Sequence, residues 1–333
     1  MSAAALDRTL AALVAAQLGT GLLSLRAGSP PTAPLFVLHG LLAGALLAAI
    51  AMKVRRSVPR AIARHHWGAL TLALLLGLAG LAALAGGFAW VVSGRILTIG
   101  DWTVLTLHAW AALALVPITV AHLLPRRWRV VVPRRRPRAA ALISRRAAMT
   151  TLALGAVGVL AWAGANAVEA LTGGARRFTG SRWLPEGGTP PPTTFFGEQP
   201  GPLDAAAWRL EVRGAVSRPL SLSLAELAGL GESSRPEVLD CTSGWVLRTE
   251  WSGVALGAVL DAAAVDPRAR LVTVRSITGW YARLPLSEAR AAMLATGVAG
   301  RPLADGNGAP CRLVAPDRRG LEWVKWVTRI EVA

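Results

Sequence analysis

The chain has 333 residues, of which 53% are hydrophobic, and a mean hydropathy of +0.45. This is too apolar for an ordinary soluble protein and predicts membrane-spanning segments. The formal net charge is +17 at pH 7, but the basic residues cluster between long apolar runs, at 53–64 and 126–146. Cytoplasmic loops that follow the positive-inside rule show this alternation, whereas the basic arms of nucleic-acid-binding proteins do not. We therefore expect no nucleic-acid partner.

Five apolar runs predict transmembrane helices, at residues 9–25, 35–52, 67–92, 102–124 and 147–169. Each is close to or above the roughly 20 residues needed to cross the hydrocarbon core. The first is the weakest, because it is short and contains Gln17 and Thr20. If both basic clusters are cytoplasmic, the N-terminus is cytoplasmic and everything after the fifth helix is extracytoplasmic. We expect a multi-pass protein of the cell membrane, in contact with lipid.

The histidines all fall in this apolar half, at His39, His65, His66, His108 and His122. Ionisable groups inside a membrane are costly and are functional candidates by default. His39 and His108 lie about five and six residues into helices that run in the same direction, so both are near the outer surface, as two axial ligands of one haem iron must be. Histidines at helix ends in the membrane interface are the simpler alternative, which stays open.

His108 and His122 are fourteen positions apart, so they share a helix face about 21 Å apart along the axis. This half resembles four-helix cytochrome b membrane proteins, which carry two stacked haems on such histidine pairs. Lys53 stands where the inner partner is expected, so a second haem would need His65 or His66 opposite His122. The resemblance implies one haem b, a second haem left open, and quinone as the electron partner.

The segment Ser144-Arg145-Arg146, followed by an apolar run, resembles a twin-arginine export signal at an internal position. Two more arginines in a basic loop explain the pattern equally well. Export by this route would suit a following domain that folds around a cofactor before it crosses the membrane.

After Gly173 the composition changes. Residues 185–202 are rich in Pro and Gly and predict a linker. From Trp208 the hydrophobic period becomes strand-like, with short helical stretches between. The expected fold is an all-α transmembrane bundle of five helices followed by a mixed α+β, mostly β, domain. The expected boundaries are 1–130 for a four-helix membrane domain, 131–146 for the basic loop, 147–170 for the fifth helix, 171–202 for the linker and 203–333 for the last domain.

Ordered motifs in the last domain are LDCTSGW, EWSGVALGAVL, GRPLADGNGAPCRLVAP and GLEWVKWV. Together they resemble the molybdopterin-binding domain of the sulfite oxidase family, over about residues 190–333. The resemblance implies that Cys241 is the thiolate that holds molybdenum beside the pterin, and a soft thiolate suits such a metal. Cys311 is better explained as a buried apolar residue. A disulfide between the two is the remaining alternative and would cost the metal site.

Further roles follow from the resemblance. Arg312 matches an arginine near the pterin phosphate, and Lys325 matches a lysine that lines the same pocket. Asn307 falls where many relatives have histidine. The other candidates are Trp280 and Tyr281, near the position of an active-site tyrosine, and Thr193, Thr194 and Phe195 at the edge of the cofactor pocket.

The residues after Cys241 depart from the sulfite oxidases, which have an arginine-rich stretch suited to a dianion. Here TSGWVLR contains only Arg248, which with Cys241, Trp280 and Tyr281 completes the catalytic candidates. The spacing from Cys241 to Trp245 is closer to that of periplasmic reductases of protein methionine sulfoxide, whose partner is a separate haem-containing membrane subunit. The chain thus resembles a fusion of such a pair, and the resemblance implies a molybdenum oxidoreductase that reduces an S-oxide by oxygen-atom transfer.

Two other functions stay open. One is a dehydrogenase that oxidises a small anion such as sulfite and passes electrons inward. The other is a non-catalytic membrane subunit, in which a molybdopterin-type fold serves assembly of a larger complex.

Overall fold

The computed structural model describes residues 3–65, 67–123, 145–194, 198 and 200–333. The chain separates into two compact units. The first consists of Met1–Ser24 and Pro31–Gly180, and the second of Leu25–Pro30 and Ser181–Ala333. The first unit is helical and the second is mostly β. The sequence predicted a linker at 171–202, and the described residues of this range from Ser181 onward belong to the second unit.

The described part of the first unit has five long helices. They are α1 (Ala3–Ser24), α2 (Ala33–Ala63), α3 (Trp67–Val92), α4 (Val104–Leu123) and α5 (Arg145–Thr172), with a short hairpin of β1 (Thr98–Ile99) and β2 (Trp102–Thr103) before α4. Among the described residues, four stretches are long and apolar enough to cross a membrane: Pro30–Ala63, Leu70–Val92, Val104–His122 and Ala148–Thr172. The expected count of five spans is thus reduced to four, because α1 carries Asp7, Arg8 and Gln17.

Small residues let the helices approach closely. A Cβ added at Gly44 of α2 would lie 2.9 Å from the Gly158 Cα of α5, and one added at Gly158 would lie 2.5 Å from the Leu41 oxygen. Packing of this kind is typical of helices in membranes, where small side chains allow backbone contact. Leu6 of α1 and Ala49 of α2 are fully or almost fully buried in the same core. The helix α1, which is not one of the candidate spans, is therefore an integral part of the bundle.

The second unit contains two sheets. The six-stranded sheet has the order β11-β10-β7-β3, with β6 also paired to β7 and β12 to β10. Its strands are β3 (Arg182–Trp183), β6 (Glu232–Asp240), β7 (Trp245–Ala255), β10 (Met293–Val298), β11 (Arg301–Pro302) and β12 (Arg312–Val314). The five-stranded sheet has the order β5-β4-β13-β8-β9. Its strands are β4 (Leu210–Gly214), β5 (Leu220–Leu222), β8 (Leu271–Ser276), β9 (Tyr281–Pro285) and β13 (Val327–Val332).

Short helices join the strands: α6 (Leu224–Ala228), α7 (Leu256–Ala262) and α8 (Leu286–Ala291). The segment GVALGAVLDAA becomes helical only from Leu256, because Gly253 and Val254 still pair with Ala295 and Leu294 of β10. The longest hairpin joins β6 to β7 and pairs Glu232 with Val254 at its open end. Its closed end carries Cys241, which places the site on a rigid element.

Candidate functional site

Cys241 lies in a tight turn at the closed end of the β6–β7 hairpin. Its amide donates to the Trp245 oxygen at 2.9 Å, and the Gly244 amide donates to the Cys241 oxygen at 3.0 Å. Gly244 has φ +102°, a conformation that glycine adopts without strain. The sequence Cys-Thr-Ser-Gly thus folds as a turn because its last residue can reverse the chain. The Cys241 Sγ lies 2.9 Å from the Ser243 Oγ.

The turn opens into a cleft of about 590 Å³, counted with the open space at its mouth. Segments far apart in the sequence form its walls. Among the lining residues are Thr193, Thr194, Cys241, Ser243, Trp280 and Lys325. The structure therefore brings together five of the residues that the sequence analysis singled out: the cysteine, both threonines, the tryptophan and the lysine.

Lys325 supplies positive charge to the cleft. Its Nζ donates to the Thr193 oxygen at 2.8 Å and to the Gly306 oxygen at 2.5 Å. Burial lowers the pKa of Lys325 to about 8, and the nearby charge of Arg312 acts in the same direction. Burial raises the pKa of the Cys241 thiol, whereas hydrogen bonds from Ser243 and the positive charges of the cleft lower it.

Arg312 lies behind the cleft wall. It is 2% exposed, and its guanidinium donates to the main-chain oxygens of Asn307 at 3.0 Å and Trp323 at 3.3 Å. The guanidinium carbon lies 5.1 Å from the ring centroid of Trp251 and 5.9 Å from that of Trp323. In the part of the chain that the structure describes, its Nε has no hydrogen-bond partner. Neither Arg312 nor the buried Asn307 is among the described residues that line the cleft.

Two catalytic candidates lie outside the cleft lining. Tyr281 is 43% exposed, with Arg275 and Arg283 5.0 and 5.3 Å from its ring centroid. Arg248 is exposed on β7, opposite Val238. Neither side chain is among the described residues that line the cleft, so the catalytic role predicted for each gains no support from the cleft geometry. Phe195 lies outside the described residues.

Sequence reasoning missed the groups behind the turn. Arg319, Asp240 and Ser181 are 3%, 0% and 0% exposed, and they form a hydrogen-bonded cluster against the Cys241 carbonyl. The only signal in the sequence was a polar residue directly before the cysteine and a second arginine in PDRRG. Both cysteines are free in the structure, so the disulfide alternative receives no support.

The first unit brings His39 and His108 together. Their ring centroids are 6.1 Å apart and the ring planes are at 89°. The His39 Nδ1 lies 2.8 Å from the Thr20 Oγ1, and the His108 Nδ1 lies 2.6 Å from the Ala83 oxygen. His122 follows on α4 near its end. His66 lies outside the described residues.

Comparisons with known proteins identify relatives of this chain. The family model for the oxidoreductase molybdopterin binding domain matches residues 197–333. The protein-methionine-sulfoxide reductase catalytic subunit MsrP of Xanthomonas campestris pv. campestris is 36% identical over an alignment of 146 residues, which covers 38% of this chain and 45% of the relative. The uncharacterized oxidoreductase YuiH of Bacillus subtilis is 30% identical over 143 residues, which are 42% of this chain and 72% of YuiH.

Among solved structures, the sulfane dehydrogenase SoxCD from Paracoccus pantotrophus is 25% identical, with a TM-score of 0.38 over 39% of each chain. The match to MsrP covers about half of the length of that relative (45%). It covers most of YuiH, however, and the family model matches the unit that holds Cys241. The chain therefore belongs to the oxidoreductase molybdopterin binding domain family, as the motifs around Cys241 had predicted.

Proposed function

We propose that the protein is a membrane-anchored molybdenum oxidoreductase that reduces an S-oxide outside the cytoplasm with electrons from quinol. The observation that carries the proposal is the Cys241 thiol at the tip of a rigid hairpin, in a cleft that Lys325 and Trp280 also line. A soft thiolate in such a cleft suits a molybdenum ion, and the domain belongs to a molybdopterin-binding family.

The donor set of the cleft fits an anionic metal–pterin group. Cys241 supplies one thiolate, and Lys325 and Arg312 supply positive charge close to it. The Nε of Arg312 is buried and has no partner in the described part of the chain. Gly308 has φ +100°, and a Cβ there would lie 2.8 Å from the Lys325 Cβ. Glycine thus allows the main chain to close around the lysine.

Each residue of the cleft has a task in this proposal. The Cys241 sulfur would hold the metal, and the Lys325 ammonium would neutralise the pterin's negative charge. Trp280, fixed by a 2.9 Å hydrogen bond from its Nε1 to the Leu321 oxygen, would form an apolar wall that excludes water from the substrate. When bound, the molybdenum–pterin group supplies the step in which an S-oxide takes up two electrons and two protons and leaves as a thioether and water.

An S-oxide is favoured over a dianion by charge. Arg248 is the one arginine in the stretch TSGWVLR that follows Cys241. It is exposed and is not among the described residues that line the cleft. A neutral S-oxide does not need an arginine cluster, whereas a small dianion such as sulfite does. The MsrP relatives are named protein-methionine-sulfoxide reductases, so protein methionine sulfoxide is the substrate that we propose first.

The histidine pair supports a haem b relay. The Ala83 oxygen can only accept, so the His108 Nδ1 carries a proton. The Thr20 hydroxyl donates to the Ala16 oxygen at 2.8 Å, so it accepts from the His39 Nδ1. Each ring therefore keeps its Nε2 for a metal, as ligating histidines do when their other nitrogen is hydrogen-bonded. The ring centroids are 6.1 Å apart, so His39 and His108 would hold one haem iron between them.

The membrane arrangement completes the proposal. Four apolar helices would anchor the protein, with the basic residues 53–64 and 126–146 in the cytoplasm. The second unit would then lie outside, and Arg145-Arg146 would serve its export by the twin-arginine route. Quinol would deliver electrons within the bundle, and the haem at His39 and His108 would pass them outward. A second haem, held by His122 and His66, belongs to the same proposal.

The protein purified in detergent tests this function directly. We expect equimolar molybdenum and pterin, a b-type absorbance after reduction, and quinol-dependent reduction of methionine sulfoxide in an oxidised protein. If the preparation contains no molybdenum, the proposed activity is wrong and the alternative of a non-catalytic membrane subunit is favoured. One that oxidises sulfite and reduces quinone instead would reverse the proposed electron flow.

A further inference from the structure

Arg319 is a buried cation directly behind the Cys241 turn. It is 3% exposed, whereas its neighbour Arg318 forms ion pairs nearer the surface with Glu288 and Glu322. The Arg319 Nη2 lies 3.0 Å from the Cys241 main-chain oxygen, 3.2 Å from the Asp240 Oδ1 and 3.1 Å from the Ser181 Oγ. One guanidinium thus contacts two consecutive residues of the hairpin.

The buried carboxylate of Asp240 would destabilise the fold if it had no cationic partner. Its side chain is completely buried, and the Ser181 hydroxyl donates to the same Oδ1 at 2.6 Å. A buried ion pair gains little net stability, because the desolvation of both charges offsets their attraction. Such a pair can instead fix one conformation of the groups around it.

The Cys241 carbonyl is the group that the pair fixes. Its oxygen accepts from the Gly244 amide at 3.0 Å and from Arg319 at 3.0 Å, so both of its lone pairs are used. Arg319 also forms a parallel bridge with Asp240. A Cβ added at Gly320 would lie 3.2 Å from the Cys241 Cα. The main chain of the cysteine is therefore held from behind by hydrogen bonds and by close contact.

We propose that Arg319 is a positioning residue, which fixes the Cys241 main chain so that the sulfur is directed into the cleft and retains the metal. The proposal rests on the proposed function, in which Cys241 holds molybdenum. Arg319 would act through the cysteine carbonyl and would not touch the cofactor. Groups that orient a ligand in this way change metal affinity by about 10- to 100-fold when they are removed.

The test must separate positioning from folding. Arg319→Met leaves the Asp240 charge buried and unpaired, so this variant alone is expected to lose stability. The double variant Arg319→Met/Asp240→Asn removes both charges and is expected to recover most of the melting temperature. Arg318→Met is the matched control, since it changes the adjacent arginine without touching the turn. All are measured as the full chain in detergent, for melting temperature, molybdenum, pterin and the Mo(V) resonance.

We expect the double variant to have a melting temperature close to that of the wild type and yet to retain about tenfold less molybdenum after dialysis against a chelator. Arg318→Met should keep the wild-type melting temperature and the wild-type molybdenum content. Wild-type molybdenum content and an unchanged resonance in the double variant would overturn the inference and leave the proposed function intact. Arg319→Lys keeps a cation beside Asp240 but not the planar fork. If the double variant does not fold, Arg319→Lys takes its place: loss of molybdenum from folded Arg319→Lys supports the inference, and full retention of molybdenum overturns it. A wild-type chain without molybdenum would overturn the proposed function and the inference together.

Discussion

The ammonium of Lys325 donates a 2.8 Å hydrogen bond to the main-chain oxygen of Thr193. The two residues are 132 positions apart in the chain, and both line the cleft that contains Cys241. This contact joins the start of the second unit to the segment before its last strand. It also holds a lysine whose pKa is lowered to about 8, first by burial and then by Arg312.

The pH dependence of stability reports on this lysine. Its folded pKa of about 8 lies below the ordinary value of 10.5. Between these values the unfolded chain still binds a proton that the folded chain has lost, so the Lys325 contribution to stability rises with pH. We expect a rise on the order of 2 kcal/mol from pH 8 to pH 10.5 in cofactor-free protein, which Lys325→Met removes.

The control uses the composition of the chain, which has two lysines, Lys53 and Lys325. Thermal unfolding of the wild type, Lys53→Met and Lys325→Met is compared over the same pH range. The buried Cys311 thiol contributes with the opposite sign, since burial raises its pKa to about 12, but this contribution is the same in all three proteins. Identical pH profiles for the wild type and Lys325→Met would contradict the assignment.

Trp280 and Tyr281 show how far the sequence could resolve the site. Both were candidates by resemblance, but neighbouring residues at the start of a strand point to opposite sides. Trp280 lines the cleft and Tyr281 is exposed. The ordered motifs thus predicted the domain and the cysteine, while the choice between adjacent side chains depended on strand register. Arg319 was missed for a similar reason: nothing in PDRRG distinguishes the buried Arg319 from the partly exposed Arg318.

Substitution of the two aromatic residues tests this difference. Trp280→Phe loses the hydrogen bond to the Leu321 oxygen and leaves space in the cleft wall. We expect about a tenfold fall in kcat/KM for methionine sulfoxide, with unchanged molybdenum content. Tyr281→Phe, which lies outside the cleft, should leave kcat/KM unchanged. Equal losses in the two variants would show that the cleft wall has been assigned to the wrong residue.

The histidine pair predicts a spectroscopic change. His39→Ala and His108→Ala each remove one ligand from the proposed haem, so the b-type absorbance that this haem shows after dithionite reduction should disappear in both. His65→Ala is the control, because His65 is exposed and contacts the ring of Trp67. If both variants keep the wild-type spectrum, the relay through these residues is wrong.

Thr20 on α1 should tune the same haem. Thr20→Val is nearly the same size but cannot accept the hydrogen bond from the His39 Nδ1. Loss of this bond makes the imidazole a weaker donor, which favours the reduced iron. We expect the midpoint potential to rise by about 20–60 mV, and Thr20→Ser to stay near the wild type. Redox titration followed by absorbance measures both. An unchanged potential in Thr20→Val would exclude this role for α1.

The molybdenum content of two cysteine variants tests the central claim most directly. Cys241 lies in the cleft, whereas Cys311 is completely buried in the domain core. The full chain is purified in detergent as wild type, Cys241→Ser and Cys311→Ala, and molybdenum and pterin are measured per folded protein. The account predicts that Cys241→Ser loses bound molybdenum and all S-oxide reduction, while Cys311→Ala keeps both. Wild-type molybdenum content with full activity in Cys241→Ser would contradict it.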